Sequence, residues 1–322
     1  MNLLTHFRKS TILRFVLPGL VLLFSVSALF ADGIASRYPN DVGIENDPAV
    51  ILADGFESYT SPSQLTTLGP WDAAGRQENL RIATEPGNYV GGHKSLEMKL
   101  PISQTETLNR LAKTLNPEET VLFIRAYEKF DPGFSVTTSG HNGLRIAGHD
   151  PGGAGNPPPR DGTGFFSFHL QNNKTLQGGR AGEVQPGFAQ VYSYWPFQRS
   201  NYGDHWYSDG WVIPGGWGLW VLYPNQYPNF HPIPNWQPVR GVWYCYEFMV
   251  RVNSLGRRNG VVAYWIDGNL AGFFPNLFMR SINSLKIDDT ELRLHALWSS
   301  RVNKKWCDNV VIARSYIGPI SH

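Results

Sequence analysis

No long segment of this chain repeats its apolar residues at a helical period, and 33 Gly and 23 Pro punctuate its 322 residues. Glycine and proline end regular elements, so only short elements fit between them. What lies between the breaks alternates. In Phe165-Phe-Ser-Phe-His-Leu-Gln171, Phe166, Phe168 and Leu170 take one side, and Ser167, His169 and Gln171 take the other. A period of two belongs to a strand with one buried face. The expected fold is all-β: a sandwich of two antiparallel sheets carrying one long aromatic-rich insertion.

The first 31 residues read as a signal peptide. Arg8, Lys9 and Arg14 precede an apolar run from Phe15 to Phe30, and small residues stand at Ala28 and Ala31 for cleavage. That run is short for a membrane span of roughly 20 residues. Secretion, or a periplasmic or cell-surface location, is the expected address. A retained anchor is the alternative. Losing those three basic residues turns the formal charge from +2 to −1, so nucleic acid is excluded as an expected partner and no membrane partner remains after cleavage. Residues 32–49 read as a linker and 50–320 as the domain. Leu108–Leu115 reads as one or two helical turns. The Pro- and Gly-rich stretch 150–162 reads as a loop. Residues 195–240, with Trp195, Trp206, Trp211, Trp217, Trp220 and Trp236, read as an insertion that forms a binding wall. Cys245 and Cys307 permit one disulfide in a secreted protein.

Several strands carry a row of polar and aromatic residues opposite their apolar one. Arg145 opposes Leu144 and Ile146. Ser167, His169 and Gln171 oppose a Phe-rich row. Gln190, Tyr192 and Tyr194 share one side of Ala189–Trp195. A merely solvated sheet face favours Lys, Glu and Thr, so rows of Arg, His, Gln and Tyr point to a site. If these strands are neighbours, the rows merge into one patch.

Such a patch suits β-elimination from an acidic polysaccharide. Removing the C5 proton of a uronate requires its carboxylate to be neutralised by preorganised donors, which Arg and amides supply. A base then takes the proton and an acid protonates the leaving oxygen. Histidine has a suitable pKa for the base, and tyrosine can serve as acid. The catalytic candidates are therefore Arg145, His169, Gln171, Tyr192 and Tyr194. His141, Arg125, Gln190, His205 and Trp206 are substrate-binding candidates. Hydrolysis is disfavoured because no Glu-x-Asp-x-x-Glu strand is present, and Asp288, Asp289 and Glu291 fall in a turn-like, solvated stretch. No His-Glu-x-x-His, EF-hand or phosphate-loop motif occurs, so no cofactor or catalytic metal is expected. Oxygen ligands from Glu57 and Asp308 would suit a structural Ca²⁺.

From about Gly55 to Pro319 the chain resembles secreted concanavalin A-like jelly-roll proteins, especially polysaccharide lyases of the alginate and glucuronan lyase type. The carriers are Phe56-Glu57, Arg125-Ala-Tyr127, Trp243-Tyr-Cys-Tyr-Glu247, Trp265-Ile-Asp267-Gly268 and Asp308-Asn309-Val…Tyr316-Ile-Gly-Pro319. The resemblance implies a lyase cleft lined by a Gln/His strand, a basic strand and a Tyr-rich strand. His169-Leu-Gln171, in reversed order, then corresponds to the first, Arg145 to the carboxylate neutraliser and Tyr192/Tyr194 to the Tyr pair. The Tyr-x-Lys-x-Gly-x-Tyr stretch of those lyases has no counterpart here. A non-catalytic carbohydrate-binding module on the same fold is the alternative. Glu247 and Asp267 read as framework.

Overall fold

The alternating segments form the strands of a computed structural model that describes residues 32–149, 157–174, 184–199, 201–209, 211–213, 221–222 and 236–322. In chain order the strands are β1 (Val50–Asp54), β2 (Ala73–Ala74), β3 (Leu80–Ala83), β4 (Ser95–Leu100), β5 (Thr107–Glu119), β6 (Val121–Phe130), β7 (Leu144–His149), β8 (Phe165–Asn172) and β9 (Ala189–Tyr194). They continue as β10 (Asp204–Tyr207), β11 (Trp211–Ile213), β12 (Val221–Leu222), β13 (Trp243–Arg251), β14 (Gly260–Ile266), β15 (Asn269–Leu277), β16 (Ile287–Ala296) and β17 (Asn303–Ala313). One sheet runs β15-β14-β13-β6-β17-β4-β3, with β1 also on β17; the other runs β12-β11-β10-β9-β8-β7-β16-β5-β2. The pairings are antiparallel throughout. This is the sandwich of two antiparallel sheets expected from the alternation, and the jelly roll that the resemblance implies.

The two apolar rows meet between the sheets. Leu96, Ile124, Phe248 and Ile312 come from the first sheet; Ile146, Phe166, Phe168 and Leu292 come from the second. Burying each such side chain contributes about 1.5–3 kcal/mol relative to exposure. The first sheet fixes the second, and the outer face of the second is left free to carry polar residues.

Four expectations are corrected. Thr107–Glu119 is a strand, not helical turns: its pairing with β16 from Ala296↔Thr107 to Ile287↔Glu119 overrides a weak local preference. Residues 32–49 are no linker. Ile34, Ala35 and Ile44 are buried, the amides of Ile34 and Ala35 donate to Tyr316 and Ile317, and Asp41 pairs with Arg125. Cys245 and Cys307 are both free and buried. They lie on β13 and β17, the strands on either side of β6. Cys307 joins the core cluster, whereas Cys245 alternates with the core residue Tyr246 and takes the opposite face, so no bridge can form. Finally, Asp288, Asp289 and Glu291 lie on β16, not in a solvated turn, and Glu291 is only 2 % exposed.

The signal-peptide expectation for 1–31 and residues 150–156 of the expected loop lie outside the described residues. So do residues 200, 210, 214–220 and 223–235 of the expected insertion wall. Within that region, Trp195 and Trp206 are buried in the core and Trp236 packs against it. Among the described residues no helix is long and apolar enough to cross a membrane.

Candidate active site

Sheet register places the polar rows side by side. Glu291 of β16 opposes Arg145 of β7, which opposes His169 of β8, then Tyr192 of β9, then His205 of β10. One row across, Ser167 opposes Tyr194, and on the other side Gln171 opposes Gln190. Arg293 joins the Gln171 row, since its amide donates to Gly143 O and Gly143 precedes Leu144, the partner of Leu170. His141 and His295 follow, exchanging backbone bonds with each other. Of these, His141, Arg145, Ser167, His169, Tyr194, Arg293 and His295 line a groove of about 340 Å³ together with Glu106, Leu108, His149 and Phe165.

The floor is a stack of imidazoles. The His141 ring lies 4.7 Å from His169, 5.3 Å from His295 and 4.8 Å from Tyr192. Tyr192 in turn lies 4.7 Å from His205. Burial holds His141 and His169 well below the usual histidine pKa, helped by neighbouring histidines and by Arg293. His205 is pushed down to about 4 by burial. These rings are neutral at pH 7.

Hydrogen bonds then fix tautomers and leave specific groups unspent. His141 Nδ1 lies 2.9 Å from Gln171 Oε1, so Nδ1 carries the proton and Nε2 keeps its lone pair. Gln171 Nε2 has no partner among the described residues although it is buried. Ser167 Oγ bridges Arg145 Nε and His169 Nε2, each at 3.0 Å. Tyr192 accepts from Gly203 N–H and donates to Tyr194 Oη, both at 3.0 Å. Tyr194 Oη therefore accepts one hydrogen bond and keeps its own proton to give.

The two arginines of the groove differ. Arg145 is committed: its Nη1 contacts Asp289 and Glu291, its Nε binds Ser167, and its Nη2 lies 3.3 Å from His149 Nε2. Arg293 binds Glu291 through Nε alone, and among the described residues its two terminal nitrogens have no partner. Arg293 lines the groove, so it is the group with donors to offer a ligand carboxylate. The sequence reading missed Arg293 and His295. The same period-two rule shows them: Asp289, Glu291, Arg293 and His295 alternate with Thr290, Leu292, Leu294 and Ala296.

Of the expected site residues, Arg145, His169, Gln171, Tyr192, Tyr194, His141, Gln190 and His205 come together on this face. Gln190 is spent on His205 Nδ1 at 2.7 Å and on Asn173 O. Two residues do not belong to the groove. Arg125 lies in the other sheet, fully buried, bonded to Asp41 and to the carbonyls of Gly318 and Asn309. Trp206 alternates with His205 and so faces the core, 5.2 Å from Trp195 and 5.4 Å from Phe274. Glu247 is framework: it accepts the amides of Ile317 and Gly318.

Glu57 accepts the amides of His93 and Lys94, and Asp308 accepts those of Val90 and Asn309. Burial pushes Asp308 up to about 8. Among the described residues no group of three or more His, Cys, Asp or Glu is arranged to hold a metal.

No protein-family model and no curated protein sequence matches the chain. Solved structures do. The alginate lyase Aly36B superposes with a TM-score of 0.55 at 14% identity, covering 83% of this chain and 98% of that one. The marine PL-14 alginate lyase from Aplysia kurodai gives 0.54 at 13% identity, covering 82% and 99%. The alginate lyase vAL-1 from Chlorella virus gives 0.51 at 13% identity, covering 82% and 99%. The chain thus shares the jelly-roll fold of polysaccharide lyases over most of its length.

Proposed function

We propose that this protein is a secreted polysaccharide lyase that cleaves a uronate-containing polysaccharide by β-elimination. The observation that carries this reading is the set of unspent groups facing one groove: the Arg293 fork, the free Nε2 of a neutral His141, and the Tyr194 hydroxyl. Arg293 is the donor that neutralises the uronate carboxylate and stabilises the charge that develops as C5 loses its proton. His141, kept neutral by burial and oriented by Gln171, is the base. Tyr194 gives its proton to the leaving oxygen, held in place by Tyr192. His169 and Arg145 position the floor through Ser167. A variant of the similarly folded Aly36B, at 15% identity and a TM-score of 0.55, is described in complex with an alginate trisaccharide. That supports a polysaccharide as the ligand.

The test is ultraviolet absorbance of the unsaturated uronate product over a panel of uronate polymers. Absorbance should rise on at least one. Tyr194→Phe should then lower kcat by about 10²–10⁴ with polymer binding retained. Binding to the panel without any rise in absorbance would establish a carbohydrate-binding module in place of the lyase.

A further inference from the structure

The strand order of the sheet gives the groove a direction. In a β-elimination the uronate that loses its C5 proton carries the leaving oxygen at C4, and its C1 joins it to the sugar on the reducing side. C4 and C1 stand at opposite ends of the ring. Tyr194, the donor to the leaving oxygen, is on β9, and Arg293, which takes the carboxylate, is on β16, with β8 and β7 between them. A uronate whose C4 oxygen lies at Tyr194 therefore sends its reducing-side neighbour away from β9, past Arg293 and over β5.

That edge of the face carries cations just outside the groove's lining. Arg110 of β5 stands directly opposite Arg293 in the β16–β5 register, one strand spacing of about 4.8 Å away. Both bind Glu291, Arg293 through Nε and Arg110 through Nη1 at 3.3 Å. The Arg110 side chain is 42% exposed, and among the described residues its Nε and Nη2 have no partner. Its stem has room because a glycine follows β2: a Cβ at Gly75 would stand 3.3 Å from Arg110 Cγ. Arg76 comes next at the same edge, exposed, with Nη2 3.5 Å from the carbonyl oxygen of Glu106. The carboxylate of Glu106 binds His295 Nε2 at 2.9 Å, and Asp289 pairs with Arg145. The one charge of Glu291 is shared among Arg110, Arg145 and Arg293. Leu108, two residues from Arg110 on the same side of β5, already lines the groove, so Arg110 and Arg76 continue it. An anion arriving at Arg110 meets open donors.

Resting on the lyase reading, we infer that Arg110 binds a second anionic group, a carboxylate or a sulfate ester, on the sugar that follows the cleaved uronate toward the reducing end. Arg293 takes the reacting carboxylate and Arg110 takes the next charge. The polymer then lies across the strands with its reducing end over β5 and β2.

The experiment measures unsaturated-product formation on three classes of polymer: polyuronates, uronate alternating with a sulfated sugar, and uronate alternating with a neutral sugar. One of the two classes with charge on consecutive sugars should exceed the neutral-alternating class by about tenfold in kcat/KM, and which one does so separates carboxylate from sulfate. Its advantage should shrink as salt is added. Arg110→Gln should reduce that preference by about tenfold, chiefly through KM, and Arg110→Lys should restore part of it. Arg76→Gln, which leaves the ion pairs of Glu291 intact, should reduce it less. Trisaccharides with a central uronate and one charged neighbour give the polarity without any substitution. The wild-type protein should cleave the one charged on the reducing side about tenfold faster than the one charged on the other side. Equal rates or the reverse order overturn this inference and leave the lyase reading standing, as does a loss in Arg110→Gln that is the same on all three polymers. No unsaturated product from any polymer overturns the lyase reading and this inference with it.

Discussion

Arg125 and Arg293 invite comparison, since each projects from the outer face of its own sheet. Arg125 is sealed: both terminal nitrogens are bonded, to Asp41 and to two backbone carbonyls, and none of its surface is exposed. Arg293 is anchored by one nitrogen and leaves two to the groove. A buried cation with all its partners inside the protein serves the fold. A cation anchored at one point and open at the others has donors available to a ligand.

The comparison can be broken most sharply at Arg125. Arg125→Leu leaves Asp41 and the carbonyls of Gly318 and Asn309 unpaired. It should cost about 3–5 kcal/mol of stability by urea unfolding, with turnover per folded molecule preserved. Loss of activity at unchanged stability would place Arg125 in the working machinery after all. Arg293→Ala should do the opposite. It should lower kcat/KM by about 10²–10³. Its urea midpoint should barely move, because Glu291 retains Arg110 and Arg145. A large stability loss there would make both arginines structural.

Smaller effects sharpen the groove side. Tyr192→Phe removes the donor to Tyr194 and orphans Gly203 N–H, so kcat should fall about fivefold, in line with a hydrogen bond near 1 kcal/mol. Rescue of that loss by any other Tyr194 contact would dissolve the pair. The least change is expected from acid. A base whose pKa is lowered in the folded protein stays deprotonated to lower pH. The rate should therefore hold between pH 7 and pH 6, where a histidine of ordinary pKa, about 6.5, would lose about threefold. A midpoint at the ordinary histidine value would show that His141 is not the base.

Alternation made the groove legible in part. It set Ser167, His169 and Gln171 against the Phe row, and neighbouring strands did the rest. It failed where it was not applied. The β16 row was hidden by adjacent acidic residues at Asp288 and Asp289, which look like a solvated turn until a partner strand is known. Trp206 misled by composition, because tryptophan suits both sugar stacking and core filling, and only its neighbour His205 tells which way it points. Arg125 misled for a related reason. Its strand is identifiable, but the carboxylate that absorbs its charge lies 84 residues earlier in the chain. The assignment of Arg145 as the free cation needed Asp289 and Glu291 in the same way. Local sequence shows which residues share a face; it does not show which of them are already satisfied.

The packing of residues 32–49 has a practical edge. A chain begun at Val50, where the first strand starts, would contain every strand and lack Asp41. Arg125 would then lose its bonded carboxylate and keep only two carbonyls, and Tyr316 and Ile317 would lose the amides that cover them. The folding unit thus reaches upstream of its first strand, to the Asp41 ion pair and to the bonded amides of Ile34 and Ala35.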